Sequence, residues 1–308
     1  ANNRPASEAD YPLVYEIGWT WADYYRARRI RELLEAKITV GKLDAEDMKE
    51  IQTDVLSIPA RELTPILLSV LEARSGELSG KAIEGLNALR AWASSPDAYY
   101  MRAGEVGPTI FATWLRTFVE EVFSDEFEEA GLEVEVPLSM LEYFVKNETA
   151  GSAWFDDKRT LDVVEGRGDI MVRAFQKAVD KLVQELGDDV SSWSWGRVHR
   201  LDAQHPLGVV LGRLNYPEVP LDGWRDCVNN LGGLKVSGGP SWRQVVDLGD
   251  PGDCWCVIPG GQSGNAFSPH YDDQLELWAK GDYKPMSLPA RPEDVAEPEG
   301  VFKLVPRG

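Results

Sequence analysis

The residues able to do chemistry are few. Histidine is scarce: His199, His205 and His270 are all there are. His199 and His205 lie six residues apart in Trp195-Gly196-Arg197-Val198-His199-Arg200-Leu201-Asp202-Ala203-Gln204-His205-Pro206. A metal would need a third ligand and two converging rings, so hydrogen-bonded structural histidines are the plainer reading. His270-Tyr271-Asp272-Asp273 could hold a metal or a general base, against the reading of a packed, hydrogen-bonded turn. In Gly260-Gly261-Gln262-Ser263-Gly264 the last glycine directly follows the serine, so the spacing of a nucleophile elbow is missing. The same run has no lysine for a phosphate loop, and its glycines suit positive φ beside close-packed backbone. Asn2, in Asn2-Asn3-Arg4-Pro5, carries an amide able to donate to an oxyanion. Arg26 lies in Tyr25-Arg26-Ala27-Arg28-Arg29-Ile30, which on residues alone reads as a solvated basic face. Cys227, Cys254 and Cys256 lack a CxxC pair and read as buried free thiols, with one disulfide or a metal as alternatives.

The elements that must position these residues change character along the chain. Helical periodicity covers Trp19–Lys37, a helix opening at Asp44 as N-cap, Ala60–Ala73, Lys81–Ala93, Thr109–Glu129 and Ile170–Leu186. From Gly208 onward Gly, Pro, Asn and Asp become frequent. Short β-prone runs follow at Leu234–Ser237, Ser241–Asp247 and Cys254–Ile258, separated by turns such as Gly249-Asp250-Pro251-Gly252. Residues 1–190 are therefore expected to be mainly helical, 191–288 to form antiparallel strands and turns, and 289–308 to be an extended tail. Helices followed by strands indicate α+β, not a doubly wound sheet. Strands this short need partners from elsewhere. The last five residues, Leu304-Val305-Pro306-Arg307-Gly308, match a thrombin cleavage sequence and are set aside from the fold reading.

Composition narrows the classes of partner. The 51 acidic against 32 basic residues give a net charge of −19, which repels nucleic acid and anionic membranes. No stretch approaches the ~20 apolar residues of a membrane span. The first residues contain no apolar signal region. A hydrophobic content of 43% fits a packed core, and 11 tryptophans suit large apolar contacts.

The run Ile258-Pro259-Gly260-Gly261-Gln262-Ser263-Gly264-Asn265-Ala266-Phe267-Ser268-Pro269-His270-Tyr271-Asp272-Asp273-Gln274-Leu275 resembles the C-terminal signature of the penicillin acylase (penicillin amidase) family. Trp193-Ser194-Trp195-Gly196, His205-Pro206-Leu207-Gly208, Ser241-Trp242-Arg243-Gln244-Val245-Val246-Asp247-Leu248 and Gly281-Asp282-Tyr283-Lys284-Pro285 fit it too. So do Asn2-Asn3-Arg4-Pro5, Tyr11-Pro12 and the run around Arg26. The resemblance implies part of a four-layer αββα N-terminal-nucleophile hydrolase fold. It implies a precursor cut autocatalytically into α and β chains, and hydrolysis of N-acyl amides by the serine that opens the β chain. That serine's own α-amine, of intrinsic pKa about 7.7–8.0, is the base. By position, the resemblance makes Asn2 the oxyanion-hole donor and Arg26 the arginine that places the nucleophile. Asn3 is the neighbour that rivals Asn2.

Further expectations follow from the resemblance. Ala1 cannot act as nucleophile, so the serine is expected outside this chain, which reads as the C-terminal portion of a β chain. Partners are then a small-molecule N-acyl amide, the α chain and the N-terminal part of the β chain. The substrate is a β-lactam side chain, an acyl-homoserine lactone or an acylated peptide. No cofactor is implied. Calcium, which several family members bind through a carboxylate, is unsupported because Tyr15, beside Glu16, stands at that place. The location implied is periplasmic or secreted. Two rival readings are a non-catalytic binding or structural module on the same scaffold, and a metal-dependent hydrolase using the three histidines.

Overall fold

In the computed structural model, residues 2–7, 9, 11, 18, 20–133, 135–286, 289, 291–295, 300 and 302–306 are described. The helical part runs through α1 (Tyr25–Val40), α2 (Ala45–Gln52), α3 (Ile58–Ala73), α4 (Gly80–Ala93), α5 (Gly107–Ala130), α6 (Leu138–Lys146), α7 (Glu148–Phe155), α8 (Arg167–Leu186) and α9 (Trp195–Val198). Strands β1 (Arg200–Leu201), β2 (Lys235–Val236), β3 (Arg243–Val245), β4 (Trp255–Val257) and β5 (Lys284–Pro285) follow, with α10 (Leu275–Lys280) before the last. The fold is α+β, as the order of periodicities indicates.

Helix α5 is the hub of the larger core and packs on α8 and α4. The sequence predicts an aromatic face and an acidic face for it. The acidic side holds only toward its C-terminal end, because Gly107–Leu115 is buried all round. Trp114 stacks on Phe118 at 5.1 Å between ring centroids, and Phe118 stacks in turn on Phe155 of α7. The first residue of α5 approaches Trp92 so closely that a Cβ on Gly107 would lie 2.3 Å from the indole. Only glycine fits there.

Local capping chemistry sets several helix starts. The Asp44 carboxylate accepts from Asp47 N, and Asp47 returns the bond to Asp44 N, forming a capping box at α2. Ser57 and Ser79 accept from the backbone N–H of Ala60 and Ala82 at the starts of α3 and α4. Helix α1 begins at Tyr25, later than its periodicity suggests, because residues 22–23 are held by other elements. Ala22 N–H donates to Asn2 O, and the Asp23 carboxylate caps α6. Trp19 lies outside the described residues. The short helices α6 and α7 were not expected from the sequence; they are fixed by packing of Leu141, Val145 and Phe155 into the core.

Beyond α9 the chain folds around a smaller cluster of Leu201, Leu221, Leu231, Val236, Val257, Leu275 and Trp278. Strands β3 and β4 pair antiparallel as expected, with Gln244 opposite Cys256, and β5, which the sequence did not suggest, adds to β4 with Lys284 opposite Cys256. Strand β2 pairs in parallel with β1, which corrects the expectation that Leu234–Ser237 joins the antiparallel meander. The physical reason is the long connection from Leu201 to Lys235, which lets the chain return in the same direction where a tight hairpin cannot. Buried Arg243 links β3 to α10 by donating to Trp278 O and Asn229 Oδ1, both at 2.8 Å. All three cysteines are free thiols, and Cys227 and Cys254 are buried.

Candidate active site

The N-terminal residues and the start of α1 meet. Ala22 N–H donates to Asn2 O at 2.9 Å, which lays residue 2 beside the first turn of α1. Asn2 has φ of +62°, a conformation that asparagine tolerates better than most side chains. Arg26, in that first turn, donates through Nη2 to Asn2 Oδ1 at 3.1 Å. The amide oxygen is thus occupied and Nδ2 is left as the side chain's donor. The neighbouring Asn3 behaves differently: its Nδ2 donates to Arg4 O at 3.0 Å, closing a local turn.

The start of α1 is riveted to α6 and α3. Asp23 Oδ2 accepts from Leu138 N–H at 2.9 Å, and Ser139 Oγ donates to Asp23 Oδ1. Fully buried Tyr25 donates to Glu142 Oε2 at 2.6 Å, and Lys146 Nζ donates to Glu142 Oε1 at 2.7 Å. Burial, reinforced by the Glu142 hydrogen bond, pushes the Tyr25 phenol far up, so it stays a neutral donor. Arg29 makes a two-pronged bond to Asp54 at 2.9 and 2.7 Å, tying the next turn of α1 to the loop before α3. These contacts hold Arg26 on rigid elements although it lies near the surface.

Arg26 lines a cavity of about 600 Å³ whose wall also includes Trp21, Asp23, Glu135, Arg225 and Asp226. Arg225 Nη2 pairs with Glu135 Oε1 at 2.8 Å. Asp226 is 13% exposed in its side chain, and its Oδ2 is shielded from solvent without a hydrogen-bond partner among the described residues. Burial pushes the Asp226 carboxyl up to about 6; Arg225 opposes that rise. Nothing in Trp224-Arg225-Asp226-Cys227 marks this aspartate in the sequence, because its position depends on tertiary packing of a turn against α1.

Of the other sequence candidates, His199 bonds to Gly233 on the cavity wall, and His205 and His270 bond within their own turns. His199 is buried, stacks on Trp195 at 4.6 Å and points Nδ1 at Gly233 O across 3.0 Å. Burial, partly offset by that hydrogen bond, pushes it down to about 4, so it is neutral at pH 7. His205 accepts from Leu207 N–H through its own ring. His270 Nδ1 sits 3.0 Å from Asp273 Oδ2, and His270 O accepts from Ser263 N–H at 3.0 Å. Gly260 has φ of +110°, and a Cβ on Gly261 would lie 2.1 Å from His270 O, so both glycines serve the close-packed turn. Gln274 is buried and closes the turn through its backbone N–H to Gly260 O. Among the described residues, no group of three or more His, Cys, Asp or Glu could hold a metal ion. Tyr15 and Glu16 lie outside the described residues; a phenol is in any case a poor substitute for a calcium-binding carboxylate. No described helix is long and apolar enough to cross a membrane.

Comparison with known proteins bears on the family and the fold. Acyl-homoserine lactone acylase QuiP of Pseudomonas aeruginosa is 25% identical over 99% of this chain and 38% of its own length. The penicillin acylase 2 proenzyme of Pseudomonas sp. strain SE83 is 27% identical over 85% of this chain and 33% of its own length. The chain thus spans about a third of the length of these relatives. The thermostable penicillin G acylase of Alcaligenes faecalis superimposes with a TM-score of 0.50 at 21% identity, over 100% of this chain and 57% of that one. The fold is shared with that penicillin G acylase. The penicillin amidase family profile matches residues 1–294, from Asn2 and Arg26 through the Gly-Gln-Ser-Gly turn. The resemblance first carried by residues 258–275 holds across nearly the whole sequence, and the chain belongs to the penicillin amidase family.

Proposed function

We propose that this chain supplies one wall of the catalytic centre of an N-acyl amide hydrolase. The observation that carries the reading is the Arg26–Asn2 hydrogen bond, which fixes the amide oxygen of Asn2 and leaves its N–H donors for a ligand. In this reading the nucleophile is a serine at the start of a β chain, contributed by a segment outside the 308 residues. Its Oγ attacks the amide carbonyl while its proton passes, through a water, to its own α-amine. The carbonyl oxygen becomes an oxyanion, and Asn2 Nδ2 donates to it alongside a backbone N–H from the same outside segment. The C–N bond then breaks, the amine leaves with the proton, and an acyl-ester remains for water to cleave.

Arg26 has two tasks in this scheme. It orients Asn2, and its positive charge disfavours protonation of a nearby amine, keeping the base neutral near pH 7. The names of the relatives support an amide substrate such as an acyl-homoserine lactone or a penicillin side chain, and an acylated peptide fits the same chemistry. A test is hydrolysis of these three classes by the enzyme assembled with its α chain and nucleophile segment. Asn2→Ala is expected to lower kcat by about 10²–10³ with folding retained, while Asn3→Ala stays close to wild type. Wild-type rates in Asn2→Ala refute the role of Asn2.

A further inference from the structure

We propose that the cavity beside Arg26 is a subsite for a primary ammonium group, held by Asp226. The assignment of that group to the amine half of the substrate rests on the amide-hydrolase reading; the binding itself does not.

The case begins with the partners of every charged side chain on the wall. Arg26 donates to Asn2 Oδ1, Asp23 accepts from Leu138 N–H and Ser139, and Arg225 pairs with Glu135. Asp226 is the one left over among them. Its ion pair with Arg225 is long, at 3.8 Å from Nε to Oδ2, and that oxygen is shielded from solvent without a hydrogen-bond partner among the described residues. A desolvated carboxylate oxygen without a donor is costly, and a buried polar atom in that state calls for an explanation.

The charges facing Asp226 from neighbouring elements are Arg225 on its own turn, Asp23 and Arg26 at the start of α1, and Glu135 before α6. The two acidic groups raise its proton affinity and the two guanidiniums lower it, so the balance is set by burial. At neutral pH the side chain is ionised and short of donors. A cation with N–H groups supplies what is missing, through charge-assisted hydrogen bonds. The cavity, of about 600 Å³, has room for a small amine. The net charge of −19 raises the local concentration of cations over anions. Ammonium is also the form in which an alkylamine released by amide hydrolysis exists in neutral water.

The test is calorimetric titration of butylammonium chloride into the 308-residue chain at pH 7.5, with tetramethylammonium as a cation lacking N–H. Butylammonium is expected to bind, tetramethylammonium to bind at least about tenfold more weakly, and Asp226→Asn to weaken butylammonium by about tenfold or more. Binding should fade as the pH falls through about 6, where Asp226 takes up its proton. Absence of butylammonium binding, equal binding of the two cations, or undiminished binding by Asp226→Asn each overturns the proposal. Ammonium binding by the chain, with no amide hydrolysis by the enzyme assembled with its α chain and nucleophile segment, keeps the subsite and rejects the enzymatic reading. Hydrolysis without ammonium binding does the reverse.

Discussion

Arg26 Nη2 lies 3.1 Å from Asn2 Oδ1, joining residues far apart in the chain through one side-chain hydrogen bond. The bond is directional. Arginine is a pure donor, so it engages the amide oxygen and leaves the amide nitrogen facing elsewhere. If this relationship matters to catalysis, the identity of residue 26 matters beyond its charge. Arg26→Lys keeps the cation but loses the planar fork that can hold Asn2 and a second group together. It is expected to lower kcat about tenfold with a smaller change in KM, measured by steady-state hydrolysis in the assembled enzyme. An unchanged kcat would show that charge alone suffices.

The anchor beneath that pair is Glu142. It accepts from Tyr25 at 2.6 Å and from Lys146 at 2.7 Å, with only 6% of its side chain exposed. Glu142→Ala leaves the buried Tyr25 phenol without its acceptor and Lys146 with Glu62 alone, and is expected to cost about 3 kcal/mol of stability. Tyr25→Phe leaves Lys146 still paired and should cost about 1 kcal/mol. Urea denaturation of the two variants distinguishes this ranking from equal losses.

How far the sequence leads can be judged at these residues. The Asp44 cap, the helices through α5 and α8, and the β3–β4 pair follow from side chains close in sequence, where periodicity and capping act locally. Asn2 and Arg26 were nameable only through the family resemblance. By residue chemistry alone an amide near the N-terminus and an arginine among arginines have no function. Asp226 and Glu142 left no trace in the sequence, because each is defined by groups brought to it from other elements. Helices α6 and α7 were missed for the same reason: they are short and depend on the core they cover. The parallel β1–β2 pair required knowing where the chain goes between Leu201 and Lys235.

Asp125 and Glu126 on α5 give a pH signature independent of the active site. Burial, together with a hydrogen bond from Glu126 to Asp125, pushes the Glu126 carboxyl up to about 7, while Asp125 is held below its usual range. An acid whose folded pKa is raised contributes stability below its unfolded pKa and loses it as pH rises through the folded value. Glu126→Gln keeps a donor toward Asp125 at every pH. The variant should therefore melt higher than wild type at pH 8, with the gap closing toward pH 5, in calorimetric scans. A gap that grows toward acid contradicts the assignment.

Gly107 tests the packing at the start of α5. Its place would put a Cβ 2.3 Å from the Trp92 indole, and Trp92 is only 3% exposed. Gly107→Ala gains helix propensity but overpacks the core, and a net loss of about 1–3 kcal/mol is expected from equilibrium unfolding. A stabilised variant would mean that Trp92 moves aside freely.

The central claim is that Asn2 and Arg26 act as one unit on the oxyanion. A double-mutant cycle on kcat, using Asn2→Ala, Arg26→Ala and the pair in the assembled enzyme, tests it most directly. The account predicts strong non-additivity: once Asn2 is gone, removing Arg26 costs much less than it does alone, and the double variant lies close to Asn2→Ala. Losses that simply add, factor by factor, would show two independent residues and contradict it.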